Sequence, residues 1–151
     1  MVPTPRLVLT AVTELFCDTS GWGNLVDPTQ PFHTLATNLY RSARDHDRKV
    51  ITTNYVISEL VALFTSPLRI PRSTTIAFIE TLKSSPYINV IHIDRTLDQE
   101  AWELLANRQD KVWSLVDCSS FVVMKQRSIV EALTTDHNFE QAGFTRLLHD
   151  G

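Results

Sequence analysis

The sequence predicts an α/β fold: a three-layer α/β/α sandwich around a mainly parallel central sheet of four to five strands. Two observations carry this. Short β-leaning runs alternate along the chain with longer segments of helical spacing, the signature of βαβ units. The composition, with 43% apolar and 21% charged residues, is that of a globular protein with a proper core. The 151 residues suit one domain, 1–151, and no repeat, low-complexity stretch or linker divides them.

The first strand is expected at Leu15–Asp18, and the Gly21-Trp22-Gly23 segment after it reads as a loop. Phe32, Leu35, Leu39 and Ala43 then line one helical face. A second strand follows at Val50–Thr53. Ile57, Leu60, Val61 and Phe64 repeat the helical spacing, as do Ile76, Ile79 and Leu82 after Pro71, a natural first-turn residue. Ile88–Ile93 is the third strand. The next helix runs from about Thr96 to Asn107 with Leu97, Ala101, Leu104 and Leu105 inward, and another from about Asp117 to Arg127 with Phe121 and Met124 inward. Ala132–Asp136 and Phe144–Leu148 complete the strands. In such a sheet the carboxyl ends of the strands lie along one edge, where ligands bind.

The formal charge of −3 excludes a strongly basic nucleic-acid binder, although not a local basic patch. Cys17 and Cys118 match no zinc or redox spacing and read as small buried apolar residues in a reducing compartment. No apolar run approaches the ~20 residues of a membrane span. The stretch from Leu7 to Val12, cut by Thr10, is a poor signal peptide. A cytoplasmic location is the expectation.

Most of the 17 acidic residues stand in polar surroundings, where a solvated role is the default. Four do not. Asp18 ends the first strand, Glu59 interrupts the apolar run Val56-Ile57-Ser58-Glu59-Leu60-Val61, Asp117 opens a helix after Leu115-Val116, and Asp136 ends the strand Ala132-Leu133-Thr134-Thr135. Each alone has a plain alternative as a strand terminator, ion-pair partner, helix cap or turn starter. Three of the four, however, map to one edge of a parallel sheet, and Glu59 lies within about two turns of it. Converging carboxylates without basic partners repel one another. A hard divalent cation relieves this, and Mg²⁺, which takes oxygen ligands and keeps waters, suits the pattern, with Mn²⁺ as the close alternative. The five His are scattered, so zinc is not indicated.

These residues, in this order, resemble the PIN-domain ribonucleases, the fold of VapC-type toxins. Leu15-Phe16-Cys17-Asp18-Thr19-Ser20 is similar to the family's first strand, Thr52 to Leu60 to the helix bearing its Glu, Trp113 to Phe121 to its third motif, and Ala132 to Phe139 to its fourth. The resemblance spans roughly residues 14 to 148. It implies Asp18, Glu59, Asp117 and Asp136 as catalytic and metal-binding acids, with Glu59 either a ligand or the residue that positions the attacking water. Ser20 and Thr135 either support the acids through their hydroxyls or serve plain turn and capping roles. Many relatives carry a further Asp where this chain has Asn138, which bears on any second metal. Asp94 also ends a strand but reads better as a helix N-cap.

The resemblance further implies metal-dependent hydrolysis of single-stranded RNA, a small antitoxin partner and a homodimer. The segment Leu63 to Ile79, with Phe64, Leu68 and Ile70, is the candidate partner surface, or else an ordinary helical hairpin. RNA contacts are expected from Arg41, Arg44, Arg48, Lys49, Arg69 and Arg72, and base stacking from Trp22 above all, with Trp113 and Tyr55 more at home in the core. A dinucleotide site fails because position 26 is Val rather than the third Gly. The Asp-Thr-Ser-Gly run at residue 18 does not fit an aspartic protease, and Ser20 stands where a haloacid-dehalogenase-type phosphatase needs an Asp. The alternative from another class is a catalytically idle PIN fold that binds RNA or a protein.

Overall fold

A computed structural model describes residues 14–151; the Leu7–Val12 stretch lies outside the described residues. The elements are β1 (Glu14–Cys17), α1 (Thr19–Val26), α2 (His33–Asp45), β2 (Lys49–Thr53), α3 (Asn54–Thr65), α4 (Arg72–Ser84), β3 (Ile88–Ile91), α5 (Arg95–Asn107), α6 (Leu115–Gln126), β4 (Glu131–Leu133), α7 (Asn138–Gln141) and β5 (Thr145–Arg146). All pairings are parallel and the strand order is β3-β2-β1-β4-β5. Helices flank this sheet to give the expected α/β/α layers.

The chain leaves β1 toward β2 and β3 on one side and returns to β4 and β5 on the other. That switch of direction opens a crevice at the carboxyl ends of β1 and β4, where open α/β sheets bind ligands. Register fixes the crevice: Phe16 pairs with Ala132 and Cys17 with Leu133, so Asp18 emerges level with the end of β4. Leu15, Phe16, Val50, Ile51 and Leu133 are wholly buried at the centre, as are both thiols. Burial pushes the Cys17 thiol well up and the Cys118 thiol up to about 11, which suits inert packing residues.

Five expectations need correction. The segment after Asp18 is helix α1, not a loop. Asp18 caps it, accepting from the Gly21 N–H, and α1 packs against α2 and α3. Gly21 permits this, because a Cβ there would lie 2.1 Å from the Leu133 carbonyl oxygen. The buried face of α2 is built on Ala36 and Ala43 and leaves Leu35 outward. Likewise α4 buries Thr75, Ile79 and Leu82 and leaves Ile76 half exposed. In α2 the fully buried positions are both alanine, whereas α4 buries Ile79 and Leu82 as expected and puts Thr75 rather than Ile76 beside them. The short helix α7 was not expected either, and β4 ends at Leu133, three residues before Asp136.

Candidate active site

Asp18, Glu59, Asp117 and Asp136 all line one open cleft of about 550 Å³ at the β1–β4 carboxyl edge. Each arrives from a different element. Asp18 follows β1, Glu59 lies on α3, Asp117 in the first turn of α6, and Asp136 in the turn after β4.

Asp18 is the most enclosed. Its Oδ1 accepts from the Gly21 N–H at 2.9 Å and the Ser20 hydroxyl at 2.8 Å, and its Oδ2 from the Thr134 hydroxyl at 2.7 Å. Burial pushes its pKa up to about 7. The Thr134, Gly21 and Ser20 bonds act against that rise, while nearby Asp136 adds to it. Asp117 closes a capping box: Ser114 Oγ accepts from the Asp117 N–H at 3.0 Å while Asp117 Oδ2 accepts from the Ser114 N–H at 3.1 Å. Burial also raises the Asp117 carboxyl, and Asp136 again contributes. Asp136 Oδ1 accepts from the Asn138 N–H at 2.9 Å, and its own N–H donates to Thr134 Oγ1 at 3.0 Å. Glu59 is exposed on the far wall, where its Oε1 accepts from the Thr19 hydroxyl.

Among the described residues no Lys or Arg lines the cleft; His137, with Nδ1 4.0 Å from Asp136 Oδ1, is the nearest basic side chain. Nor do any three His, Cys, Asp or Glu among the described residues sit close enough to hold an ion through side chains alone. An oxygen-only donor set, short of full coordination and without cationic partners, fits a hard divalent cation that retains several waters. A larger cavity, about 570 Å³, lies elsewhere among Trp22, Tyr40, Phe78 and Tyr87, and carries no acid.

A family model for the PIN domain matches residues 15–145. The chain belongs to the PIN-domain family. It is 30% identical over 133 residues to the 23S rRNA-specific endonuclease VapC20 of Mycobacterium tuberculosis strains CDC 1551 / Oshkosh and H37Rv, covering 88% of this chain and 97% of that protein. The crystal structure of M. tuberculosis VapC20, described as a sarcin-ricin loop cleaving toxin, superposes with a TM-score of 0.78 at 30% identity. The match covers 87% of this chain and 96% of that one.

Within this PIN fold several expected supporting residues change places. Thr134, not Thr135, bonds Asp18; the Thr135 side chain has no hydrogen-bond partner among the described residues, while Ser20 is where it was expected. Trp22 is buried in α1 and its Nε1 donates to Thr52 Oγ1 at 3.1 Å, so it has no face to offer a base. The Tyr55 hydroxyl donates to Asp98, and Trp113 packs on Phe121. Asp94 caps α5 through the Leu97 N–H. Arg41, Arg44, Arg48 and Lys49 lie at the wrong edge, because α2 ends where β2 begins. Arg48 instead pairs with Glu131 at 2.8 Å, Lys49 reaches the Pro86 carbonyl, and Arg44 lies over the Tyr87 ring. Arg69 is better placed: adjacent Leu68 shares a small depression with Ser20 and Thr135. Arg72 is exposed and bonds Thr65 at 3.3 Å.

Proposed function

We propose that this PIN domain is a metal-dependent endoribonuclease that hydrolyses phosphodiester bonds of single-stranded RNA and serves as the toxin of a toxin–antitoxin pair. The observation that carries the reading is the convergence of four carboxylates from four elements in one cleft without a Lys or Arg among its described lining. Mg²⁺ or Mn²⁺ would sit among Asp18, Glu59, Asp117 and Asp136, with bound waters reaching the acids it does not touch directly. When bound, such an ion neutralises charge on the scissile phosphate and makes a water a better nucleophile at neutral pH.

The chain's own residues set up the rest. Ser20, Gly21 and Thr134 fix both oxygens of Asp18, so little reorganisation is needed when charge arrives. Thr19 holds Glu59 across the cleft, where it is exposed and can orient a water. His137 lines the acid cleft and offers a donor to the RNA backbone, and the loop that carries Arg69 reaches a neighbouring depression through Leu68. Structured ribosomal RNA is the first natural substrate to try, given the VapC20 relatives. A small antitoxin protein and a second copy of the chain are the expected partners, in the cytoplasm. Of the segment Leu63 to Ile79, Phe64 and Ile79 are buried and Leu68 and Ile70 partly so, leaving Ile76 as the main exposed apolar side chain. Among the described residues no helix is long and apolar enough to cross a membrane.

The test is cleavage of single-stranded RNA by purified protein with Mg²⁺, Mn²⁺ or EDTA, beside folded Asp18→Asn and Asp117→Asn proteins. Metal-dependent cleavage lost in both variants is the expected result. Cleavage that survives both substitutions means a contaminant and ends the assignment.

A further inference from the structure

Asn138 reaches two of the four acids at once. Its backbone N–H donates to Asp136 Oδ1 at 2.9 Å, and its side-chain Nδ2 to Asp117 Oδ2 at 3.2 Å. An ionised carboxylate has no proton to give, so only one amide orientation makes this second bond: the NH₂ group faces Asp117. The consequence is visible in the same residue. Asn138 is 8% exposed, and its Oδ1 is buried with no hydrogen-bond partner. Buried acceptors are nearly always satisfied, so an orphan beside a functional cleft marks a side chain held for something other than its own comfort.

We propose that Asn138 is a positioning residue that fixes Asp117 and Asp136 relative to each other as the seat of the divalent cation. This deepens the reading above and rests on it. Asp117 Oδ2 is tied by Asn138 and by the Ser114 N–H, and Asp136 Oδ1 by Asn138. Among the described residues the other oxygen of each carboxylate takes no hydrogen bond and is left for a cation. The amide's neutrality matters as much as its reach. It supplies a donor without adding another negative charge to a cleft that already holds four carboxylates. Residues that orient metal ligands in this way usually change metal affinity by about ten- to a hundredfold when removed.

The experiment compares the parent protein with Asn138→Ala by Mn²⁺ calorimetry in chelator-treated buffer, by thermal melting without metal, and by RNA cleavage over a range of Mn²⁺. Arg48→Ala, at the opposite edge of the sheet, is the control for a purely structural lesion. Asn138→Ala is expected to bind Mn²⁺ about ten- to a hundredfold more weakly, to melt close to the parent, and to regain the parental cleavage rate at saturating Mn²⁺. Arg48→Ala should melt lower with its Mn²⁺ affinity unchanged. Mn²⁺ affinity in Asn138→Ala within about twofold of the parent overturns the inference, since orienting groups matter more than that. So does a cleavage defect that excess Mn²⁺ cannot rescue. If the parent itself neither binds Mn²⁺ nor cleaves RNA, the carboxylate reading falls and the inference with it; if the parent does both and only Asn138→Ala is indistinguishable from it, the inference falls alone.

Discussion

The two edges of the same sheet handle charge in opposite ways. At the amino edge charges are paired: Arg127 grips both oxygens of Glu14 at 2.6 and 3.1 Å, and Arg48 bridges Glu131 and the Glu14 carbonyl. At the carboxyl edge four carboxylates share a cleft with hydroxyls and amides as their neighbours. Hydrogen bonds orient a carboxylate but do not cancel its charge. The amino edge therefore has these charges balanced, whereas the carboxyl edge is electrostatically stressed until something positive arrives. Pairing marks structure here, and its absence marks the edge where the proposed chemistry would take place.

That contrast breaks first at the acids. Asp18→Asn and Asp117→Asn each remove one charge while keeping shape, and each should reduce metal-dependent RNA cleavage by about a hundred- to a thousandfold, as loss of a preorganised electrostatic group does. A loss below tenfold in initial rate would place the chemistry elsewhere.

The stress can also be read as stability. The folded pKa of Asp18, about 7, lies above its ordinary 3.8. Between about pH 4 and 7 the folded state therefore holds a proton that the unfolded chain has released, and stability falls as pH rises through that window. At about 1.4 kcal/mol per pH unit the penalty reaches at most about 4 kcal/mol above pH 7. In EDTA, Asp18→Asn should melt higher than the parent at pH 8 and match it near pH 4. Equal melting at both pH values would mean that the Asp18 carboxylate is not under strain.

The amino edge gives the converse. Arg48→Ala should cost about 1–2 kcal/mol in urea unfolding, since it leaves Glu131 and the Glu14 carbonyl without their donor. Cleavage by the folded fraction should be unchanged. The smallest effect is expected at exposed Arg41 on α2. Arg41→Ala should alter stability by under about 0.5 kcal/mol and leave the salt dependence of RNA binding as it was. A shallower salt slope would show that RNA tracks around to the amino edge.

Much of the candidate site is legible in the sequence alone. Glu59 stands in an apolar run, Asp18 and Asp117 each follow one, and Asp136 ends the strand run Ala132-Leu133-Thr134-Thr135, so charge stands out against its neighbours in the sequence. The supporting residues were less accessible. Thr134 and Thr135 are neighbours pointing different ways, and because β4 stops at Leu133, strand alternation does not decide between them. Helix α1 was hidden by Gly21 and Gly23, poor helix formers; it depends on the Asp18 cap and on close packing against β4, both tertiary facts. The inward positions Ala36 and Thr75 were hidden because each stands next to a larger apolar residue, Leu35 or Ile76, that the spacing favours and that the fold leaves outward. The misplaced arginines reflect connectivity: a helix that feeds a parallel strand must end at the strand's beginning.

Gly21 has a further consequence. With the Leu133 carbonyl 2.1 Å and Cys17 Sγ 2.7 Å from where a Cβ would stand, the tolerated alphabet at this position has one letter. A side chain there would push α1 off β4 and separate Asp18 from Thr134 without altering either. A lineage that drifted at Gly21 would lose the alignment of its acids while still displaying every one of them in its sequence. If the proposed reading holds, four acids in the sequence do not by themselves guarantee function in this fold, because the missing side chain at Gly21 is what lets them align.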